Sequence, residues 1–127
     1  MAVTHATSLR NTLADAVDTA LGATANLRFR LSGTIGSPGT VVATLPMSAT
    51  PFGAASSGTI TANAITSDTN ATGNASPVAN ATLDAGATPL VHCAVAASAS
   101  DINMTGGLTI GAGDTVSCSS LTYTAPA

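Results

Sequence analysis

The sequence contains no lysine, no glutamate and no tryptophan, and its whole charge inventory is three arginines and six aspartates. Catalysis built on a lysine amine or a glutamate carboxyl is excluded at the outset. Nucleic-acid binding needs a dense Lys/Arg footprint to displace counterions from phosphates. A net charge of −3 and a pI near 4.7 offer the reverse, so no nucleic-acid partner is expected. Aromatic side chains are equally scarce, at two Phe and one Tyr, which leaves few platforms for stacking on a sugar ring.

What the chain has in quantity is small residues: Ala, Thr, Ser and Gly fill 72 of its 127 positions. Ala supplies 26 of the residues counted as hydrophobic, which leaves 29 larger apolar side chains for a core. The length suits one domain over residues 1–127. Disorder would need high net charge, which is missing. A domain with a thin core and few solubilising charges is expected to complete its burial against neighbours, as a subunit of an assembly does.

No run approaches the roughly 18–20 apolar residues that span a bilayer, so no membrane partner is expected. Residues Met1 to His5 show neither a basic n-region nor an apolar h-region, and the chain is expected to be made and kept in a cytoplasm. Asn-x-Ser/Thr triplets begin at Asn70, Asn74, Asn80 and Asn103, as the abundance of these residue types dictates without any glycan. Cys93 and Cys118 fall on predicted strands. In a reducing compartment two buried thiols are expected rather than a disulfide.

Leu9, Leu13, Val17 and Leu21 recur every four residues, with Ala16 and Ala20 beside them, and predict a helix over residues 7–22 behind an N-terminal arm, residues 1–6. Thr7 or Ser8 is expected to cap it and Gly22 to close it. The apolar stripe is expected to pack on a sheet of its own chain, with docking on a partner as the alternative. After Gly22 the period drops to two: Leu27, Phe29 and Leu31 alternate with Arg28 and Arg30. A turn at residues 34–39 and a strand from Thr40 to Leu45 complete a hairpin. Further strands are predicted at 59–65, 78–84, 90–96, 108–110 and 115–124, the last with a bulge or bend near Ser119-Ser120. About seven short strands after one helix predict a mainly β domain over residues 26–127, an antiparallel β-sandwich or barrel carrying one N-terminal α-helix.

Little in this chain points to chemistry. The segments beginning Asp68-Thr69-Asn70 and Asp101-Ile102-Asn103 mimic the opening of a calcium loop, but Ala79 and Ala112 stand where the closing Glu belongs. Asx turns explain both, and no metal or other cofactor is expected. His92 and Cys93 are neighbours on a predicted strand, where they point to opposite faces and form no dyad. Gly106-Gly107 and Gly111-Ala112-Gly113 lack the Lys and the helix of a phosphate cradle. The chain is not expected to be an enzyme. Arg28 and Arg30 make the one basic spot. They are expected to pair with Asp or stay solvated, with contact to an acidic partner as the alternative.

Two blocks, Phe52 to Asp68 and Ser100-Asp101-Ile102-Asn103 followed by Ile110 to Val116, together with the helix Arg10-Asn11-x-x-Ala14-Asp15-Ala16, cover about half the chain. In them the sequence resembles a family of small virion structural proteins of tailed bacteriophages, similar in size and composition to capsid decoration, or cement, proteins. It departs from them at Pro89 to Cys93. The resemblance implies a subunit on the outer face of the head, bound to the major capsid protein and to copies of itself as a homo-oligomer on the shell. It also implies assembly from the bacterial host cytoplasm into the virion. A tail-associated subunit and a host-surface or carbohydrate-binding module are the alternatives. The expected contact residues are Val3 and His5 in the arm, Arg28 and Arg30 on their strand, and Pro46, Pro51 and Phe52 in the loop after the hairpin.

Overall fold

A computed structural model of the chain describes residues 3–127; Met1 and Ala2 of the expected arm lie outside the described residues. Helix α1 spans Thr7–Leu21 and passes through a single 3₁₀ turn, Gly22–Thr24, into the β-domain. Neither Thr7 nor Ser8 caps it. Ala6 occupies the N-cap, in extended conformation and without a side-chain bond, so that end of the helix lacks the expected cap. The C-terminus ends as expected: Gly22 takes φ +69, which favours glycine, and its N–H donates to the Asp18 carbonyl.

The protein is mainly β, with the one helix leading into a curled, half-barrel-like sheet of five strands and two small ladders. The strands in chain order are β1 Ala25–Arg30, β2 Gly33–Thr34, β3 Ser37–Pro38, β4 Val41–Pro46, β5 Thr59–Thr61, β6 Asn80–Ala85, β7 Thr88–Ala96, β8 Ile102–Asn103 and β9 Thr122–Thr124. The main sheet runs β4-β1-β6-β7-β8, antiparallel except for the short parallel contact of β7 with β8. Its curl has a local cause. The register slips between Phe29 and Arg30 in the β1–β4 pair and between Leu83 and Asp84 in the β6–β7 pair, and an extra residue on one strand bends and twists the pair.

The alternation read from the sequence sets the faces. Leu27 stands opposite Leu45 and Leu83, and Phe29 opposite Ala43 and Ala81; all six are buried on the core side. Each fully buried Leu contributes about 1.5–3 kcal/mol of transfer free energy. Helix α1 packs over β5 and β6 and adds Ala14 and Leu21 to this core. β6 is buried on both faces, so the other side of the sheet is covered too, around Thr82 and Asp84.

The hairpin β1–β4 forms as predicted, with β2 and β3 as a small ear on its turn. The C-terminal third is less regular than expected. Residues 108–110 form no strand, although the carbonyls of Leu108 and Ile110 accept the N–H groups of Val78 and Asn74. From the predicted strand 115–124 only β9 survives, paired with β5, while Val116 makes one isolated bridge to Asp68. The chain bends at Ser119, where the change of phase places the break.

Candidate functional site

Helix α1 presents two different faces. Toward the loops it turns polar side chains, each of which holds a distant backbone group. Asn11 Oδ1 accepts the N–H of Gly58 at 2.7 Å, and Asp15 Oδ1 and Asp18 Oδ1 accept those of Ala55 and Phe52 at 2.9 Å. Arg10 Nη2 donates to the carbonyl of Ala125 at 3.3 Å. Arg10 also lies against Gly58, whose φ of +77 and lack of a side chain admit the guanidinium. The helix thus clamps the 52–58 loop and the C-terminal strand region.

Successive helical residues are turned by about 100°, so Leu13 stands about 100° round the axis from buried Ala14. Leu9 and Leu13 therefore miss the core, while Val17 packs against its edge. Leu9 is 45% exposed and Leu13 39%, Val17 is half-buried, and Ala16 and Ala20 are exposed; only Leu21, at the sheet end, is buried. The expectation that the stripe packs on its own chain thus holds for Val17 and Leu21 and fails for Leu9 and Leu13. The inner face is filled by Ala14, Leu21 and the hydrogen-bonding side chains, of which apolar periodicity marks only Leu21. Beside the stripe, Leu90 is 42% exposed and with Val91 forms the far wall of an apolar groove along Ala16, Val17 and Ala20.

On the opposite side of the sheet, Asp84 is fully buried and its Oδ2 receives both Arg28 Nη1 at 2.8 Å and Arg30 Nη2 at 3.0 Å. Arg30 also donates to Thr82 Oγ1 and the Gly39 carbonyl, and Arg28 to the carbonyl of Gly86. Pairing with aspartate, expected for these arginines, is what the structure holds. Arg30 is withdrawn as a partner contact because it is buried, while Arg28, paired to Asp84, keeps part of its side chain at the surface.

The remaining aspartates are engaged in the same way. Asp68 accepts the N–H groups of Thr44 and Asn70, Asp101 that of Ala94, and Asp114 that of Gly111. The first calcium-like segment is thus an Asx-type turn, as expected; in the second Asp101 instead ties the loop to β7 through Ala94, and Ile102–Asn103 forms β8. An open cleft of about 600 Å³ lies between residues 101–110 and 114–122 over Phe29 and Ile110. Its carboxylates, Asp101 and Asp114, are the two just described, and no histidine lines it. Cys93 and Cys118 are free thiols. Burial, with the Asp101 carboxylate nearby, pushes the Cys93 thiol up to about 11; burial also raises that of half-buried Cys118.

Of the other expected contact residues, Val3 is 78% exposed and Pro46 is exposed at the end of β4. His5 is half-buried, its Nδ1 lying 2.8 Å from the carbonyl oxygen of Ala127, so the arm is tied to the far end of the chain. Pro51 and Phe52 are withdrawn as contacts, because both are buried and Phe52 fills the core beneath α1 with its amide held by Asp18. Of the expected contact residues the structure brings together only Arg28 and Arg30, on Asp84. On α1 it leaves Leu9 and Leu13 exposed next to a groove that joins Val17 to Leu90, and of these the sequence signalled the helical three by their spacing. No family model, curated protein or solved structure matches this chain.

Proposed function

We propose that this chain is a virion structural subunit of a tailed bacteriophage, a capsid decoration protein that binds the outer face of the head and stabilises the shell. The observation that carries the reading is the outward apolar stripe of α1. A chain with so few large apolar residues leaves Leu9 and Leu13 exposed on α1 and Leu90 exposed across the groove from Val17, where a covering neighbour would gain their burial. The resemblance of its motif blocks to phage virion proteins supports the same reading. So does the use of its charges: all six aspartates and all three arginines are engaged in holding loops and strands together. Such a subunit needs no cofactor. It works through modest contacts repeated over a symmetric lattice, in which avidity replaces a strong single interface.

The surface chemistry favours this over carbohydrate binding. Phe29 and Phe52 are buried and Tyr123 is half-buried, so no fully exposed aromatic ring offers a stacking platform among the described residues. No helix of the described residues is long and apolar enough to cross a membrane. The test is a cryo-electron microscopy reconstruction of the virion that carries this chain. Density on the outer shell beside the major capsid protein is the expected result, and density confined to the tail refutes decoration.

A further inference from the structure

We infer that the apolar face of α1 pairs with the same face of a second copy of this chain, antiparallel, about a two-fold axis at Leu13. The inference rests on the reading of the chain as an assembly subunit and names one of its partners.

Charge is the first reason. Each copy carries −3, and like charges brought together across an interface are costly. On α1, however, Arg10, Asp15 and Asp18 are all turned to the loops they bind. Asp15, the one exposed charged residue of the helix, stands about 160° round the axis from Leu13. The stripe therefore shows a second copy only Leu, Val and Ala, with no like charge to oppose it.

Shape is the second. A groove of about 250 Å³ runs between Ala16, Val17 and Ala20 on one side and Leu90 and Val91 on the other. The small alanines leave it open, and Leu9 projects from the same face at the other end of the stripe. An antiparallel pairing centred on Leu13 sets position 13−n opposite position 13+n. Leu13 then meets Leu13, and the Leu9 of each copy, about 6 Å from the axis, meets Val17 and enters the other's groove. A projecting side chain and a hole at equal distances from one point are what an isologous contact requires.

Area sets the strength. The stripe and Leu90 expose on the order of 300–400 Å² of apolar surface, about half of the ~800 Å² that each partner contributes to a standard interface. Pairing is therefore weak in free solution and takes hold where copies are concentrated on a lattice.

Sedimentation velocity of the full chain from about 10 μM to about 1 mM, the range that brackets a weak pairing, tests this. The weight-average mass should climb from one chain toward two, while a Leu13→Arg variant with unchanged circular dichroism stays at one. A wild-type chain still monomeric at the upper limit overturns the inference. Register is read by oxidation in a Cys118→Ser background. The Leu13→Cys variant should link to itself, Leu9→Cys should not, and a mixture of Leu9→Cys with Val17→Cys should link. Self-linkage of Leu9→Cys overturns the antiparallel register. Binding to purified heads is scored separately: a chain that pairs but does not bind heads refutes decoration alone, and one that binds heads as a monomer refutes the pairing alone.

Discussion

Replacing Asp84 by Asn keeps the volume of the side chain and removes its charge, which makes it a direct test of what the buried ion cluster contributes. Asp84 has no exposure, and its two guanidinium partners have side chains only 20% and 7% exposed, for Arg28 and Arg30 respectively. Removing one member of a buried pair costs about 3–5 kcal/mol, because the charge left behind stays desolvated without a counter-ion. Arg28, at the rim, can recover part of its hydration; Arg30 cannot, since it is locked between Thr82 and the Gly39 carbonyl. The lower half of that range, ~3–4 kcal/mol, is therefore expected. Unfolding entropy of about 2.1 cal/mol/K per residue makes each kcal/mol worth roughly 4 °C in a chain of this length, so Tm should fall by ~12–16 °C. Urea denaturation with calorimetry measures both quantities, and Asp15→Asn, at an exposed carboxylate, serves as the control with a loss below ~1 kcal/mol. If Asp84→Asn costs no more than that control, the cluster does not hold β1 to β6 and the reasoning fails. Reversing charge at Arg28 and Arg30 then reports on folding rather than on an acidic partner.

The clamp made by α1 predicts that Asp18→Ala, which frees the Phe52 amide, destabilises the chain by about 1–3 kcal/mol. Hydrogen exchange should accelerate at residues 52–58 before the sheet, and uniform acceleration would show that the helix and loop are not coupled in this way. Gly58→Ala must accept φ +77 and place a Cβ 2.8 Å from Arg10 Cζ, for a loss of about 1–2 kcal/mol; an unchanged Tm would mean the loop relaxes freely. Cys93, raised in the folded chain from 9.0 to about 11, holds its proton more tightly folded than unfolded. Stability on this account is full below pH 9 and declines as pH rises from 9 toward 11, a trend that a Cys93→Ala variant should lack. At pH 8 an alkylating reagent should modify half-buried Cys118 before Cys93, and the reverse order would contradict the burial.

Much of the architecture was legible in local pattern. Alternation at Leu27, Phe29 and Leu31 reports a half-buried strand because successive side chains point to opposite faces, and the turn at residues 34–39 lies between two such runs. The four-residue recurrence from Leu9 to Leu21 reports a helix for the same kind of reason. Gly22 marks its end because few other residues accept the left-handed conformation there. The fate of 115–124 was half legible: the shift of phase at Ser119-Ser120 signals a break, but pairing of β9 with β5 depends on a strand some sixty residues earlier.

The sequence by itself determined a mainly β domain behind one helix, a core with few large apolar side chains, and a chain poor in charge. These follow from periodicity and composition, which need no knowledge of long-range contacts. Tertiary structure alone decided which face of α1 turns inward. Apolar spacing points to Leu9 and Leu13, yet Asn11, Asp15 and Asp18 find loop N–H groups that lie forty residues or so away in sequence, at Gly58, Ala55 and Phe52. It likewise decided that Arg30 is an interior cation and Arg28 a cation at the rim, both paired to Asp84, because only the pairing of β1 with β6 brings Asp84 beneath them. A hydrogen bond or an ion pair is made between partners, and partners distant in sequence are chosen by the packing of the whole chain.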